Sequence, residues 1–405
     1  MLKVIHSADW HYNDRDHDEI EKCVDFKIAR ARKECPDLIV VSGDITDSQN
    51  LKLDSKSAKT ICRQFSEMAD IAPVVNIIGT PSHDGRSAEI LRYVRGKYQI
   101  HVSEKPEQLF LQGEGLVDCW GLDKKAEITA IITQIPTPTK QFFQADSAIE
   151  EGDKAISNAM TALFGAFGAS AAEYSCPHIL NGHFQVGGAF ISDTQQLVGR
   201  DIEISTDQLA MANAHVICMG HIHKAQEMRS NIFYSGSIYR KNFGEMDDKG
   251  FYIYDLSMNT PGVLYDSDFI LTPTRQLIKI REDFTQENRL IEGCILNPFT
   301  PNEIKDAFIK VEFKVWQDEA GKINQAELER SFLEAGAARA EINLIRIPRE
   351  TVRASRVLTM DRLRDKVKEM AALRLEEVSD EILAKADLLE TTSQDELVQI
   401  AGRVN

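Results

Sequence analysis

Through the first 250 residues, short apolar runs that end in polar, glycine-rich or histidine-rich turns alternate with amphipathic segments. The runs 3–5, 37–41, 74–78, 178–180, 215–219 and 232–234 are rich in Val and Ile and have the length of buried strands. Between the first two, Ile20, Val24, Ile28, Ala31 and Cys35 recur at three- and four-residue steps. After the second, Ala58, Ile61, Cys62, Phe65 and Met68 do the same. This alternation predicts crossover helices and an α/β fold. In such folds ligand sites gather where the loops leave the carboxyl ends of the strands.

Near residue 270 the pattern changes. Residues 309–316 alternate as a strand, 325–334 follow a helical period, and 341–347 return to strand character, which predicts a small β-α-β unit. Residues 346–368 carry eight basic side chains against three acidic ones, whereas 369–405 carry nine acidic and three basic. Apolar positions Leu363, Val367, Met370 and Leu373, then Val378 and Ile382, predict amphipathic helix there. The expected division is therefore 1–268, 269–347 and 348–405.

The 405 residues include 47 Lys and Arg against 63 Asp and Glu, a net charge of −16. This balance argues against binding nucleic acid over the whole surface, but not against a local groove or a phosphodiester site whose charge is carried by metal ions. Seven cysteines without paired short spacing fit reduced thiols better than a disulfide framework. With no signal peptide and no apolar stretch long enough for a bilayer span, the expected location is cytoplasmic, with no membrane partner.

The strand ends carry the chemistry. They read Asp9-Trp10-His11, Gly43-Asp44-Ile45-Thr46-Asp47, then Gly79 through Thr80, Pro81, Ser82, His83 and Asp84 to Gly85, then Gly182-His183, and Gly220-His221-Ile222-His223. Carboxylates and imidazoles from five loops suit a pair of divalent transition ions. One-residue spacing in Asp9-x-His11 and His221-x-His223 would aim both side chains of each pair into one cavity if the backbone is extended. Any one pair alone is more often a surface turn or a packed histidine. Five of the ten histidines, however, fall at strand ends, while His6, His17, His101, His178 and His215 do not and read as structural or surface residues.

This order of motifs resembles the calcineurin-like metallophosphoesterases. Tyr234-Ser235-Gly236-Ser237, continuing through Arg240, Phe243, Gly244 and Glu245 to Lys249-Gly250-Phe251, is similar to the SbcD-type DNA repair nucleases, the family that includes the meiotic-recombination nuclease subunit. The resemblance covers roughly residues 1–256 well, and the rest of the chain in arrangement only. It implies a metallophosphoesterase β-sandwich flanked by helices, a small α+β capping domain and a C-terminal helical tail. It implies two Mn2+, with Mg2+ or another divalent ion possible. Asp9, His11 and His223 would hold one ion, His183 and His221 the other, and Asp44 would bridge them. Where the family has an asparagine ligand this chain offers Ser82, which could bind directly, bind through water or leave the second site loose.

The same resemblance makes His83 the proton donor to the leaving sugar oxygen, and Asp84, next in sequence, is the candidate for orienting its ring. Asp47 is a candidate for placing substrate or a water behind the metal ligands, with helix capping the alternative. Tyr239, Arg240 and Lys241, beside the Gly236-Ser237 turn, are the candidates for DNA contact, with a solvated hairpin tip the alternative. The implied activity is 3′-5′ exonuclease and single-strand or hairpin endonuclease cleavage in DNA repair, recombination or replication. The implied partners are DNA, an SbcC-type coiled-coil ATPase docked on the C-terminal helices, and a second copy of the chain. Two rivals stand beside this: a phosphatase or phosphodiesterase on a small substrate, and a non-catalytic interaction module with the same fold.

Overall fold

The computed structural model describes residues 1–123, 125–138, 149–192, 195, 202–259, 262–286, 301–349, 355–374, 376–393 and 396–397. In chain order the strands are β1 (Leu2–Ser7), β2 (Leu38–Val41), β3 (Val74–Ile77), β4 (Ile100–Ser103), β5 (Glu107–Gln112), β6 (Gly115–Val117), β7 (Ile128–Ile135) and β8 (His178–His183). They continue as β9 (Val216–Gly220), β10 (Gln226–Met228), β11 (Ile232–Tyr234), β12 (Gly250–Asn259), β13 (Gly262–Leu271), β14 (Leu277–Asp283), β15 (Phe308–Trp316) and β16 (Arg339–Ile347). The helices are α1 (His17–Glu34), α2 (Lys56–Ala69), α3 (Ile149–Ala171), α4 (Thr206–Ala210), α5 (Pro301–Ile304), α6 (Gln325–Glu334), α7 (Ser355–Thr359), α8 (Leu363–Arg374) and α9 (Asp380–Thr391).

The chain divides into two compact units. The first comprises Met1–Ile280, Ile295–Glu312 and Gln325–Asn343, the second Arg281–Cys294, Phe313–Asn324 and Leu344–Asn405. The first unit is mixed α/β. One sheet runs β13-β12-β1-β2-β3-β4 and a second β10-β11-β9-β8-β7-β5-β6. Strands β1 to β4 are mutually parallel, as are β7, β8, β9 and β11.

Alternation along the strands builds the layers. Val4, Leu38, Val40 and Val75 of the first sheet share one buried cluster with Leu109, Ile132, Ile179 and Val216 of the second. The opposite face of β1 to β3 packs Ile5, Ile39 and Val74 against Ile20, Val24 and Ile28 of α1 and Ile61 and Phe65 of α2. On the other side, Leu180, Ile217 and Met219 meet Ile156, Met160 and Phe164 of α3. Each such aliphatic side chain contributes roughly 1.5–3 kcal/mol by leaving water. With helices outside both sheets, the parallel strand ends are left to the loops.

All six runs named from the sequence are strands, and both periodic segments are helices. Strands β4 to β7, β10, the paired β12 and β13, and α3 are not among the runs and periodic segments named from the sequence. In the second unit, α8 and α9 run antiparallel, with Leu363 N–H donating to Glu390 at 2.7 Å and Arg364 bonded to Asp387. Ser379 breaks the helical pattern by capping α9, its hydroxyl accepting from Ile382 N–H. Arg353 of the basic stretch and residues 398–405 lie outside the described residues. Among the described residues the cysteines are free thiols, and no helix is long and apolar enough to cross a membrane.

Candidate metal centre

The loop after β1 is pinned to the loop after β2 by Asp9 N–H to Gly43 O and His11 N–H to Asp44 O, both 3.0 Å. Trp10, fully buried between the two candidate ligands, packs on Phe65 of α2 with ring centroids 5.5 Å apart. Its indole N–H donates to Ser7 Oγ, which also accepts from the buried Lys27. Strand packing thus carries straight into ligand placement.

Asp9, His11, Asp44 and His221 all have positive φ, at 52°, 48°, 52° and 88°. None of these is extended, so the same-side argument from one-residue spacing does not hold at Asp9-x-His11 or at His221. Left-handed backbone in non-glycine residues costs on the order of 1–3 kcal/mol each and persists only where the surroundings impose it. Here the imposing contacts are His221 N–H to both Asp9 oxygens, at 3.0 and 3.1 Å, and the inter-loop bonds above. Gly220 makes the approach possible: a Cβ there would stand 2.1 Å from Ser42 O.

The result is two adjoining buried clusters, with a third, less buried group of His11, Asp47 and His83 beside them. Ligand atoms of Asp9, His11 and His223 lie within 4.8 Å of one another, and so do those of Asp9, Asp44 and His183. His11 Nε2 faces His223 Nε2 at 2.9 Å, and Asp44 Oδ2 lies 3.3 Å from His183 Nε2 and 3.9 Å from His11 Nε2. The His221 ring packs on His183 with centroids 5.3 Å apart.

This donor set fits divalent cations. Burial, His223 and Lys241 hold the His11 imidazole well below its ordinary value, leaving it neutral as a ligand must be. Burial raises the Asp9 carboxyl. Burial would lower His183, yet the neighbouring Asp44 and Asp9 raise it to about 9. Asp44 is itself held far below the carboxylate range because His183 and His11 outweigh its burial. Buried carboxylates that draw a proton onto an imidazole would be satisfied equally by a cation in its place.

The second tier of contacts is as ordered as the first. His223 Nδ1 meets Glu245 Oε1 at 2.8 Å. Glu245 also accepts from Ser237 Oγ and pairs with the fully buried Lys249, which in turn donates to His223 O. Burial alone would raise Glu245, but His223 and Lys249 bring it down to about 2. Gln195 clamps the last loop, donating to His221 O and accepting from His223 N–H. Glu245 and Lys249 lay in the Tyr234–Phe251 run without an assigned role, and no sequence signal marked Gln195.

Three site expectations are corrected. Ser82 is exposed, and its carbonyl accepts from Gln49 N–H. Thr80 instead enters the cluster: its N–H donates to Asp44 Oδ1 at 2.6 Å, and its hydroxyl lies 3.1 Å from Asp44 Oδ2 and 3.3 Å from His183 Nε2. The loop turns directly after Thr80, with His83 and Asp84 N–H both donating to its carbonyl, so Pro81 and Ser82 bulge outward. Asp84 does not serve the His83 ring, because its buried carboxylate is taken by the N–H groups of Asp44, Ile45, Thr46 and Gly79. Burial and Asp44 raise it to about 6 against those donors, and its work is to tie the β2 and β3 loops together. Tyr239 is 1% exposed with its hydroxyl accepting from Asn13, so it is part of the wall and cannot meet DNA.

His83 stands half-buried at the rim, its ring 4.7 Å from that of His11 and its Nδ1 3.3 Å from Asp47 O. Arg240 is tied to the carbonyls of Asp247 and Arg275. Lys241 pairs with Asp47 at 2.5 Å. The histidines set aside in the sequence fall elsewhere: His6 bonds Tyr254 and Ser42, His101 pairs Glu107, and His178 bonds Thr133. His17 lies near Asp18 and Glu21, whose carboxylates are engaged by Lys56 and Arg63.

No family model matches this chain. Over 299 residues it is 27% identical to SbcD, the D-type component of the SbcCD nuclease of Staphylococcus epidermidis, an alignment that spans 70% of this chain and 73% of that protein. The clustered strand-end acids and imidazoles thus belong to a chain similar to an SbcD-type nuclease.

Proposed function

We propose that this chain is a divalent-metal-dependent DNA nuclease, the nuclease component of an SbcCD-like complex. The observation that carries the reading is the convergence of Asp9, His11, Asp44, His183 and His223 into two clusters that share Asp9. In this reading the two sheets are the metallophosphoesterase sandwich, residues 1–268 the nuclease domain, 269–347 the cap, and 348–405 the docking region for an SbcC-type ATPase. Exposed Leu373, Ile382 and Leu389 on α8 and α9 support that docking. A role in DNA repair, a homodimer and a cytoplasmic setting are part of the same proposal.

Asp9, His11 and His223 would hold one ion, and His183 and His221 with the Thr80 hydroxyl the other, with Asp44 a ligand available to both. Two bound ions, manganese first among the candidates, would polarise the phosphodiester and activate the attacking water. His83 gives its proton to the leaving sugar oxygen, and its place at the rim lets it reach that atom without ligating. Glu245 keeps the His223 ring turned with Nε2 inward. Lys241 meets a phosphate oxygen, a contact that gives salt-dependent affinity without sequence preference.

End-labelled duplex DNA and a phosphomonoester, each incubated with Mn2+, separate the readings. Release of nucleotides from DNA is expected, and preference for the monoester would favour the phosphatase. His83→Gln is expected to lower cleavage by roughly 10²–10⁴-fold while two Mn2+ still bind. Unchanged cleavage removes His83 from the chemistry.

A further inference from the structure

His11 and His223 face each other through Nε2, yet their outer nitrogens are held differently. His223 Nδ1 has Glu245 at 2.8 Å, a buried carboxylate braced by Ser237 and Lys249. His11 Nδ1, in a ring 1% exposed, has no hydrogen-bond partner. The nearest carboxylate is Asp47, whose Oδ1 stops 3.6 Å short. That same oxygen is occupied by Lys241 Nζ at 2.5 Å. The Asp47 and Lys241 side chains are 31% and 22% exposed, so this pair, unlike Glu245 and Lys249, stands open to solvent at the mouth of the centre.

We propose that Asp47 and Lys241 form a latch operated by the substrate phosphate, an inference that rests on the two-metal reading above. In the free protein Lys241 holds Asp47 away from His11. When a phosphodiester arrives, the Lys241 ammonium passes to a phosphate oxygen, and Asp47 closes on His11 to accept its Nδ1–H. No covalent bond changes; one ion pair is exchanged for a lysine–phosphate contact and a carboxylate–imidazole hydrogen bond. A carboxylate behind a ligating imidazole raises its basicity and fixes its orientation. Arrival of phosphate therefore tightens the ion at His11, and by linkage that ion tightens phosphate. Asp47 is a positioning residue in this scheme and touches neither metal nor substrate.

The test is Mn2+ binding to the full chain without nucleic acid, by calorimetry, for wild type, Lys241→Met, Asp47→Asn and the double variant. Freeing Asp47 by Lys241→Met is expected to tighten Mn2+ by roughly tenfold, whereas Asp47→Asn, which removes a carboxylate already held off His11, is expected to leave the affinity near that of wild type. The tightening must disappear when Lys241→Met is made in the Asp47→Asn background, since there is then no carboxylate to release. Lys241→Arg, which keeps the cation, should match wild type and reports on folding. Equal effects of Lys241→Met in both backgrounds, or none in either, overturn the latch while leaving the two-metal reading intact. If wild type binds no Mn2+, that reading fails and the latch with it.

Discussion

A buried imidazole that ligates through one nitrogen is oriented by whatever holds the other, and Glu245 does this for His223 at 2.8 Å. Replacing Glu245 by Gln keeps the shape but removes the charge that Lys249 and the His223 ring both face. Mn2+ affinity is expected to fall roughly 10–100-fold and stability by about 3 kcal/mol. Calorimetric titration and the urea midpoint measure the two, and a variant with wild-type metal affinity would show that Glu245 only packs. Candidate ligands were legible residue by residue because acids and imidazoles at strand ends are uncommon. The roles of Thr80 and Ser82 were not. Spacing along the loop suggested Ser82, whereas the turn closed by the Thr80 carbonyl decides which hydroxyl points inward.

Elements matter here through how closely their ends approach. Gly220 ends β9 against the Ser42 carbonyl, which also lies 2.6 Å from His183 Nδ1. A methyl group at Gly220 would sit 2.1 Å from that oxygen and 2.8 Å from the imidazole. Gly220→Ala is therefore expected to cost about 2–3 kcal/mol and to weaken Mn2+ binding, read by urea unfolding and calorimetry. Gly165→Ala, on α3 where the nearest atom is Met211 Cε at 3.5 Å, is the control and should gain about 0.5–1 kcal/mol. Comparable losses in both variants would refute the close-approach argument. Six strands and two helices of the first unit were readable because periods of two and three to four residues survive wherever one face is buried. The αL backbone at Asp9, His11, Asp44 and His221 has no such signature, since contacts from other loops impose it.

At the scale of the molecule, burial sets the response to acid. His6, between the sheets beside Tyr254 and Ser42, is pushed down to about 3 by burial and by the nearby Lys27, and His178 is lowered to about 4 by burial. Both stay neutral in the fold while the unfolded chain takes up their protons below about 6.5. Stability therefore declines as pH falls from about 6.5 and levels off near 3–4, by on the order of a few kcal/mol. His183, raised to about 9, works in the opposite direction, so a variant isolates the effect. For metal-free protein, the urea midpoint of His6→Gln should fall less between pH 7 and pH 5 than that of wild type. Parallel declines would place the acid sensitivity elsewhere.

The sequence by itself determined six strands and two helices of the first unit and the acids and imidazoles at its strand ends, because hydrophobic period and residue chemistry are properties of neighbours along the chain. Only the tertiary structure decided that Thr80 rather than Ser82 faces Asp44, that Asp84 ties loops instead of serving His83, that Tyr239 is wall, and that Glu245 rather than Asp47 reaches its imidazole. Each of those outcomes depends on a distance between segments far apart in the chain, and such distances are set by how the loops of two sheets pack at one edge.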